Sequence, residues 1–195
     1  MIEKELWHPV ALSADVAEAP VPARLLGEEL VLWRDAEGQA RAWQDRCPHR
    51  GAQLSLGRVV PCEKDGGARL ECPYHGWRFD AAGQCMQVPA LPGFTPPATH
   101  RARTFAAREA HGLIWVRLDG EGASELPAFE AESDARLRKL NCGPYDVETS
   151  APRLVENFLD MSHFGFVHEG WLGARDMAAI DDYKVEPTTT GLLAR

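Results

Sequence analysis

The alternation of apolar and polar positions divides the chain into two stretches of different character. Over the first 120 residues, apolar residues come in short runs broken by tight turns, which predicts strands. "ELVLWRDAEGQARAWQD" reads as two strands about the turn Asp35–Gly38, and "GWRFDAAGQCMQV" repeats the device at Asp80–Gly83. Each glycine accepts the positive φ that such a reversal needs, while the flanking Trp and Val residues favour extended backbone. "GLIWVRLD" (Gly112–Asp119) predicts another strand, with Leu113, Trp115 and Arg117 on one face and Ile114, Val116 and Leu118 on the other. A run this apolar predicts burial on both sides. Proline and glycine between Pro89 and Pro97 mark a long loop.

The pattern changes at "GEGASELPAFEAES" (Gly120–Ser133), an acidic stretch of small residues that reads as a linker or domain edge. Beyond it, "DARLRKL" predicts a short helix and "YDVETS" a strand. "APRLVENFLDMSHF" predicts a longer helix, with Pro152 suited to its first turn. "DYKVE" and "GLLAR" predict strands, the last ending without a turn or cap. The fold class expected is therefore all-β first and mixed α and β second, the second part reading as unfinished.

Composition narrows the picture only a little. The 195 residues are 45% hydrophobic and 26% charged, as in ordinary globular domains, and a net charge of −8 opposes nonspecific attraction to nucleic acid or anionic membrane. No apolar run approaches the ~18 residues that span a bilayer, and the N-terminus lacks the cationic-then-apolar order of a signal peptide. Five cysteines, an odd number, argue against a disulfide framework and for a reducing, cytoplasmic setting.

Chemistry concentrates in two turns. "CPHRG" sets Cys47 and His49 one residue apart, and "CPYHGW" sets Cys72 beside His75, with 22 residues between His49 and Cys72. As buried thiols and turn histidines, the four would owe their pairing to chance. Structural zinc also takes two Cys and two His, but zinc fingers usually put two Cys in one arm and two His in the other. Here each arm is mixed. In a Rieske [2Fe–2S] centre one iron takes two Cys and the other two His, so each loop would reach from one iron to the other. Gly51 and Gly76 predict backbone amides brought close to the sulfurs.

"CPHRGAQLSLGRV" and "LECPYHGWRFD" resemble the Rieske domain of the Rieske-type non-haem iron oxygenases, found in their alpha (terminal oxygenase) subunits. Respiratory Rieske proteins add a disulfide between the loops; the matching positions here are Ala52 and Tyr74, so the resemblance implies none. Trp77 follows Gly76 where the respiratory type carries a hydroxyl, and fewer hydrogen bonds to sulfur favour a lower potential. The spacer is longer than usual, which predicts a surface insertion at "PCEKDGGAR" with Cys62 outside the ligand set.

"ENFLDMSHFGFVHEG" carries Asn157, Asp160, His163 and His168. Asp160 and His163, one helical turn apart, suit an ordinary surface pair. Two His and a carboxylate also suit a facial Fe(II) triad. His163 and His168 are roughly 140° apart on a regular helix, so they meet only where the helix distorts or stops, a deformation that Gly165 makes easy. The Asp-x-x-His-x4-His spacing resembles the iron-binding segment of the same oxygenases. The resemblance implies that His163 and His168 bind a mononuclear Fe(II), that Asp160 bridges the two metal centres, and that Asn157 lies near the iron. It also implies head-to-tail subunits, as in a homotrimer, with the bridge running from His75 of one copy to His163 of the next. The family's third ligand, an Asp or Glu, comes late in a catalytic domain of helix-grip type. Asp176, Asp181 and Asp182 lie too near His168 to match it.

The expected organisation is a Rieske domain over 1–120, a linker over 121–142, and the beginning of a truncated α+β (helix-grip) catalytic domain over 143–195. The expected function is that of a terminal oxygenase supplied from NAD(P)H by a reductase, with or without a ferredoxin. It activates O2 to hydroxylate or demethylate an aromatic or related cyclic organic substrate. The alternative is a Rieske ferredoxin, an electron carrier with no use for Asp160, His163 and His168. His8, His100 and His111 have no ligand-type neighbour and read as ordinary surface or core residues. Trp7, Trp33, Trp43 and Trp115 are expected to pack the β domain and Trp77 to shield the cluster.

Overall fold

Alternation along Glu28–Arg34 builds most of the first unit. Leu30, Val31, Leu32 and Trp33 are all fully buried, yet successive side chains point to opposite faces of a strand. Leu30 and Leu32 pack into one core, with Val16, Ala42, Ile114 and Val116. Val31 and Trp33 pack into another, with Trp43, Leu54, Leu70, Phe79 and the cysteines Cys47, Cys72 and Cys85. One strand therefore forms the wall between two cores.

The computed structural model describes residues 2–62, 66–119, 125–140, 142, 145–180, 183–189 and 191–194. It divides into two units, Met1–Pro144 and Tyr145–Arg195. The first holds strands β1 (His8–Leu12), β2 (Val21–Leu25), β3 (Glu28–Arg34), β4 (Ala40–Gln44), β5 (Arg58–Pro61), β6 (Ala68–Glu71), β7 (Arg78–Phe79), β8 (Cys85–Gln87), β9 (Thr104–Ala110) and β10 (Leu113–Arg117). A six-stranded sheet runs β1-β10-β9-β4-β3-β2, and its edge strands β1 and β2 approach one another so that it curls toward a barrel. A four-stranded sheet runs β5-β6-β7-β8. All of these pairings are antiparallel, so the first unit is all-β.

Both predicted hairpins form, β3–β4 and β7–β8, with Gly38 and Gly83 at positive φ. Each turn is fixed by its own aspartate. The Asp35 carboxylate accepts from the amides of Glu37 and Gln39, and that of Asp80 from Ala82 and Gln84. Strand β10 differs from expectation: Ile114 and Val116 are buried, but Leu113, Trp115 and Arg117 are only half-covered. Double-sided burial belongs to β3, whose two faces each meet a core.

The stretch after the first unit's strands also differs. Asp134–Leu140 forms no helix, because the Asp134 carboxylate takes the Arg136 amide and guanidinium and holds a turn. A 3-10 turn at Glu130–Ser133 lies just before it. Tyr145–Ser150 is irregular and exposed rather than a strand. In the second unit α1 (Ala151–Leu159) starts with proline in its first turn, and α2 (Phe164–Val167) follows as a separate short helix. Strands β11 (Val185–Pro187) and β12 (Leu192–Ala194) pair antiparallel. Asp181 and Asp182 lie outside the described residues, as do parts of the predicted linker and of the insertion at "PCEKDGGAR". The described part of that insertion closes the β5–β6 hairpin, and Cys62 sits at the end of β5 away from Cys72, about 17 Å along the hairpin. Among the described residues no helix is long and apolar enough to cross a membrane.

Candidate metal centres

The two Cys-His loops reverse the chain in the same way despite their different spacing. The Cys47 amide donates to the Ala52 carbonyl at 2.8 Å, and the Gly51 amide to the Cys47 carbonyl at 2.9 Å. The Cys72 amide donates to the Trp77 carbonyl at 2.8 Å, and the Gly76 amide to the Cys72 carbonyl at 3.0 Å. Both closing glycines have positive φ, 76° and 68°, which a side chain would strain. The glycine amides themselves close the turns, and other amides of the first loop come close to sulfur, as the sequence predicts. The amides that reach the Cys47 sulfur are those of His49 and Arg50.

The loops come together with like beside like. Cys47 and Cys72 are each 2% exposed and lie within hydrogen-bonding reach of one another. His49 is half-buried, His75 is exposed, and their ring centres stand 4.7 Å apart. Burial pushes the Cys47 thiol up to about 12 against the pull of the two amides. Partial desolvation, with His75, Arg50 and His100 nearby, holds His49 below the usual imidazole range. Two thiols inside and two imidazoles outside form a donor set for two metal ions side by side. A single tetrahedral zinc would need all four to converge, and among the described residues no three His, Cys, Asp or Glu side chains gather at one point.

Flanking residues set the loops in place. At the end of β4, buried Asp45 accepts from the amide and hydroxyl of Ser55 at 2.7 and 2.6 Å, tying the two ends of the first loop together. Glu71, just before Cys72, lies between Arg58 and Arg78 at 2.8 and 2.7 Å. Burial raises its carboxyl, but the two guanidinium groups outweigh that and hold it low. A hollow of about 300 Å³ opens beside Arg58, Glu71, Cys72 and Gly76. Trp77 lies flat on His49, and His100 stacks on Trp77 in turn. Neither the Asp45 clamp nor the placement of His100 was foreseen. The first is signalled only by an acid near a serine, and the second by nothing local.

In the second unit, α1 ends at Leu159, where Asp160 turns the chain. Its carboxylate accepts from the Ser162 amide at 2.8 Å and from the Ser162 hydroxyl, which together lower its acidity range below the ordinary aspartate value. His163 Nδ1 stands 3.4 Å from Asp160 Oδ2, a long contact in which the His163 side chain is mostly covered, so the two do not make an ordinary surface pair. His163 and His168 cap the two ends of α2, and their ring centres are 5.2 Å apart. The helix stops, as their convergence requires. Gly165 acts differently from expectation: it is buried, its φ is not positive, and a Cβ there would meet the Ala174 carbonyl at 2.8 Å. It admits the returning Gly173–Ala174 backbone instead of distorting the helix. Asn157 is exposed on α1. Two imidazoles with an ionised carboxylate beside them fit two of the three positions of a facial iron site.

This arrangement defines an iron–sulfur β domain followed by a segment able to hold a second metal. Residues 6–105 match the Rieske [2Fe-2S] domain, and residues 147–194 match the vanillate O-demethylase oxygenase C-terminal domain. Methylxanthine N1-demethylase NdmA of Pseudomonas putida is 41% identical over 176 residues, covering 87% of this chain and 48% of the relative. The oxygenase component of chloroacetanilide N-alkylformylase from Rhizorhabdus wittichii is 33% identical, covering 89% of this chain and 49% of the relative. The solved structure of NdmA with caffeine superposes with a TM-score of 0.87 at 36% identity, over 98% of this chain and 56% of that one. The chain belongs to the Rieske-type non-haem iron oxygenases, as part of an alpha subunit carrying a Rieske [2Fe–2S] cluster. It spans about half the length of the curated relatives it matches.

Proposed function

We propose that Cys47 and Cys72 hold one iron of the cluster and His49 and His75 the other, and that His163 and His168 hold a mononuclear Fe(II). The carrying observation is the sorting of donors: two buried thiols together and two outward imidazoles together, on loops with the same closure. When bound, the cluster supplies single electrons and the mononuclear iron a site where O2 is activated. The chain's own residues bind and insulate. Buried Cys47 and Cys72 keep the sulfur side dry, while exposed His75 leaves an edge open to a partner. Asp160, ionised at neutral pH, stands 3.4 Å from His163 Nδ1 and is placed to accept its N–H. In a head-to-tail homo-oligomer such as a trimer it also accepts one from His75 of a neighbouring copy. Asn157 stands near the iron from α1.

On this reading residues 1–120 form the Rieske domain, 121–142 the linker and 143–195 the opening of an α+β helix-grip catalytic domain. The protein works in the cytoplasm, taking electrons from NAD(P)H through a reductase, directly or by a ferredoxin. It hydroxylates or demethylates an aromatic or related cyclic compound. The relative whose name specifies N1-demethylation favours demethylation at nitrogen. The match at 147–194 to an oxygenase domain speaks against a pure electron carrier.

The test is metal analysis of the anaerobically purified chain with its variants. Acid-labile sulfide and a Rieske-type EPR signal on reduction are expected in the parent, lost in Cys47→Ser and His49→Ala. The signal persists in His163→Ala, which instead loses added ferrous iron. One divalent ion per chain without sulfide would overturn the cluster assignment. Ferrous binding unaffected by His163→Ala and His168→Ala would overturn the second site.

A further inference from the structure

The histidine that sequence left without a role is the outer member of a stack of three rings. The Trp77 indole lies on the His49 imidazole at 4.4 Å and 6° between planes, close to perfect stacking. His100 stacks on Trp77 at 4.9 Å and 30°, and Phe94 stands behind it at 6.4 Å. Trp77 is only 8% exposed, so its position is set by what packs on it. His100 comes from a rigid base. Its carbonyl accepts from the Cys85 amide of β8 at 2.9 Å, and its own amide donates to the Pro97 carbonyl at 2.9 Å. The segment before it carries Pro89, Pro92, Pro96 and Pro97, which restrict the backbone.

Among the described residues His100 Nδ1 is buried without a hydrogen-bond partner, and the ring packs through its face on Trp77 and beside Phe94. The two outer imidazoles of the candidate cluster are thus treated differently. His49 carries a stack that runs through Trp77 to His100, whereas His75 is exposed and meets the rings of His49 and exposed Tyr74.

We propose that His100 is a positioning residue for the Rieske cluster: through Trp77 it fixes the plane of the His49 ring and keeps water from that side of the cluster. The inference rests on His49 being a ligand, as proposed above. Groups outside the ligands orient them, and solvent exposure is among the controls on cluster potential. A flat ring at position 100 is what the role requires, whether or not it contains nitrogen.

Three substitutions separate shape from chemistry. His100→Phe keeps a flat face and removes both nitrogens; His100→Ala removes the stack. Should the alanine chain fail to fold, His100→Leu fills the space without a flat face and takes its place. Each cluster-loaded chain is measured for midpoint potential, EPR g-values when reduced, and the rate of iron loss to a chelator. The phenylalanine chain is expected to match the parent in all three. The alanine or leucine chain is expected to shift in potential and g-values and to lose iron about 10-fold faster. An alanine or leucine chain identical to the parent overturns the role of His100, and so does a phenylalanine chain that departs as far as alanine. A parent chain that takes up no cluster overturns the functional reading itself, and this role with it.

Discussion

Cys47 and Cys142 are the same chemical group in opposite settings. Cys142 is exposed, whereas Cys47 and Cys85 are 2% and 1% exposed and burial raises both thiols. The thiolate is the reactive form, and a Cys47 thiol at about 12 carries roughly a thousandfold less thiolate at neutral pH than a free one near 8.5. All five cysteines are free, so each one is open to alkylation in principle. In the metal-free folded chain, brief iodoacetamide treatment at pH 8 is expected to mark Cys142 first, half-buried Cys62 next, and Cys47, Cys72 and Cys85 last. Peptide mapping by mass spectrometry reads the order. Cys47 labelled as early as Cys142 would mean that its loop does not hold the buried form described here. Unfolding in urea should abolish the ranking, because it comes from burial and not from local sequence.

At the scale of elements, Arg34 joins several at once. It ends β3 and donates to the carbonyls of Val16 at 2.6 Å, Ser13 at 2.9 Å and Gly38 at 2.7 Å, and to Glu109 of β9 at 2.8 Å. One guanidinium thus ties a hairpin turn, the segment between β1 and β2, and a strand two places away in the sheet. The hydrogen bonds from Arg34 outweigh burial and hold the Glu109 carboxyl below its ordinary value. A carboxyl depressed in the fold stabilises it above the unfolded value, about 4.3, and that contribution fades as pH falls through the lower folded value. Glu109 is 40% exposed, so solvent screens the pair and its share stays below about 1 kcal/mol. Urea midpoints of the metal-free parent and Glu109→Gln should therefore differ modestly at pH 7 and converge toward pH 3. A gap that stayed constant across that range would assign the difference to packing rather than to charge.

Elements were legible where the signal was local. The β3–β4 and β7–β8 hairpins follow from Asp35 with Gly38 and from Asp80 with Gly83, each aspartate capping its own turn. The convergence of the two Cys-His loops was legible because metal ligation demands particular residue types at particular spacing. Misreadings arose where a side chain competed with the backbone or where a distant segment intruded. Asp134 captures the Arg136 amide and ends a helix before it begins, and Asp160 does the same to α1 by capturing Ser162. Gly165 looked like a hinge, but its use depends on Ala174 crossing it, which no local pattern announces. His100 reaches Trp77 only through the pairing of Cys85 with the His100 carbonyl, so its neighbour in space is invisible in the string of letters.

At the scale of the whole molecule, charge is unevenly spread. Between Arg41 and Arg103 the chain has nine basic and five acidic residues, within a total that is net −8. That interval contains both loops of the candidate cluster, and Arg46, Arg50, Arg58 and Arg101 are exposed along it. Glu71 is shared by Arg58 and Arg78, leaving that trio positive as well. On the reading proposed above, electrons arrive from a separate protein, and the local excess of basic residues predicts a donor with an acidic face. Opposed charges speed encounter most when salt is low, because exposed charges are screened over about 8 Å at physiological ionic strength. The bimolecular rate at which an acidic iron–sulfur donor reduces the loaded chain should therefore fall steadily as salt rises. Arg50→Glu should slow it on the order of 10-fold at low salt while leaving the reduced EPR spectrum as in the parent. The variant and parent rates should then approach one another at high salt, where guidance by charge is lost. A rate indifferent to salt, or faster in the variant, would place the electron entry on some other surface, away from the arginines that surround the loops.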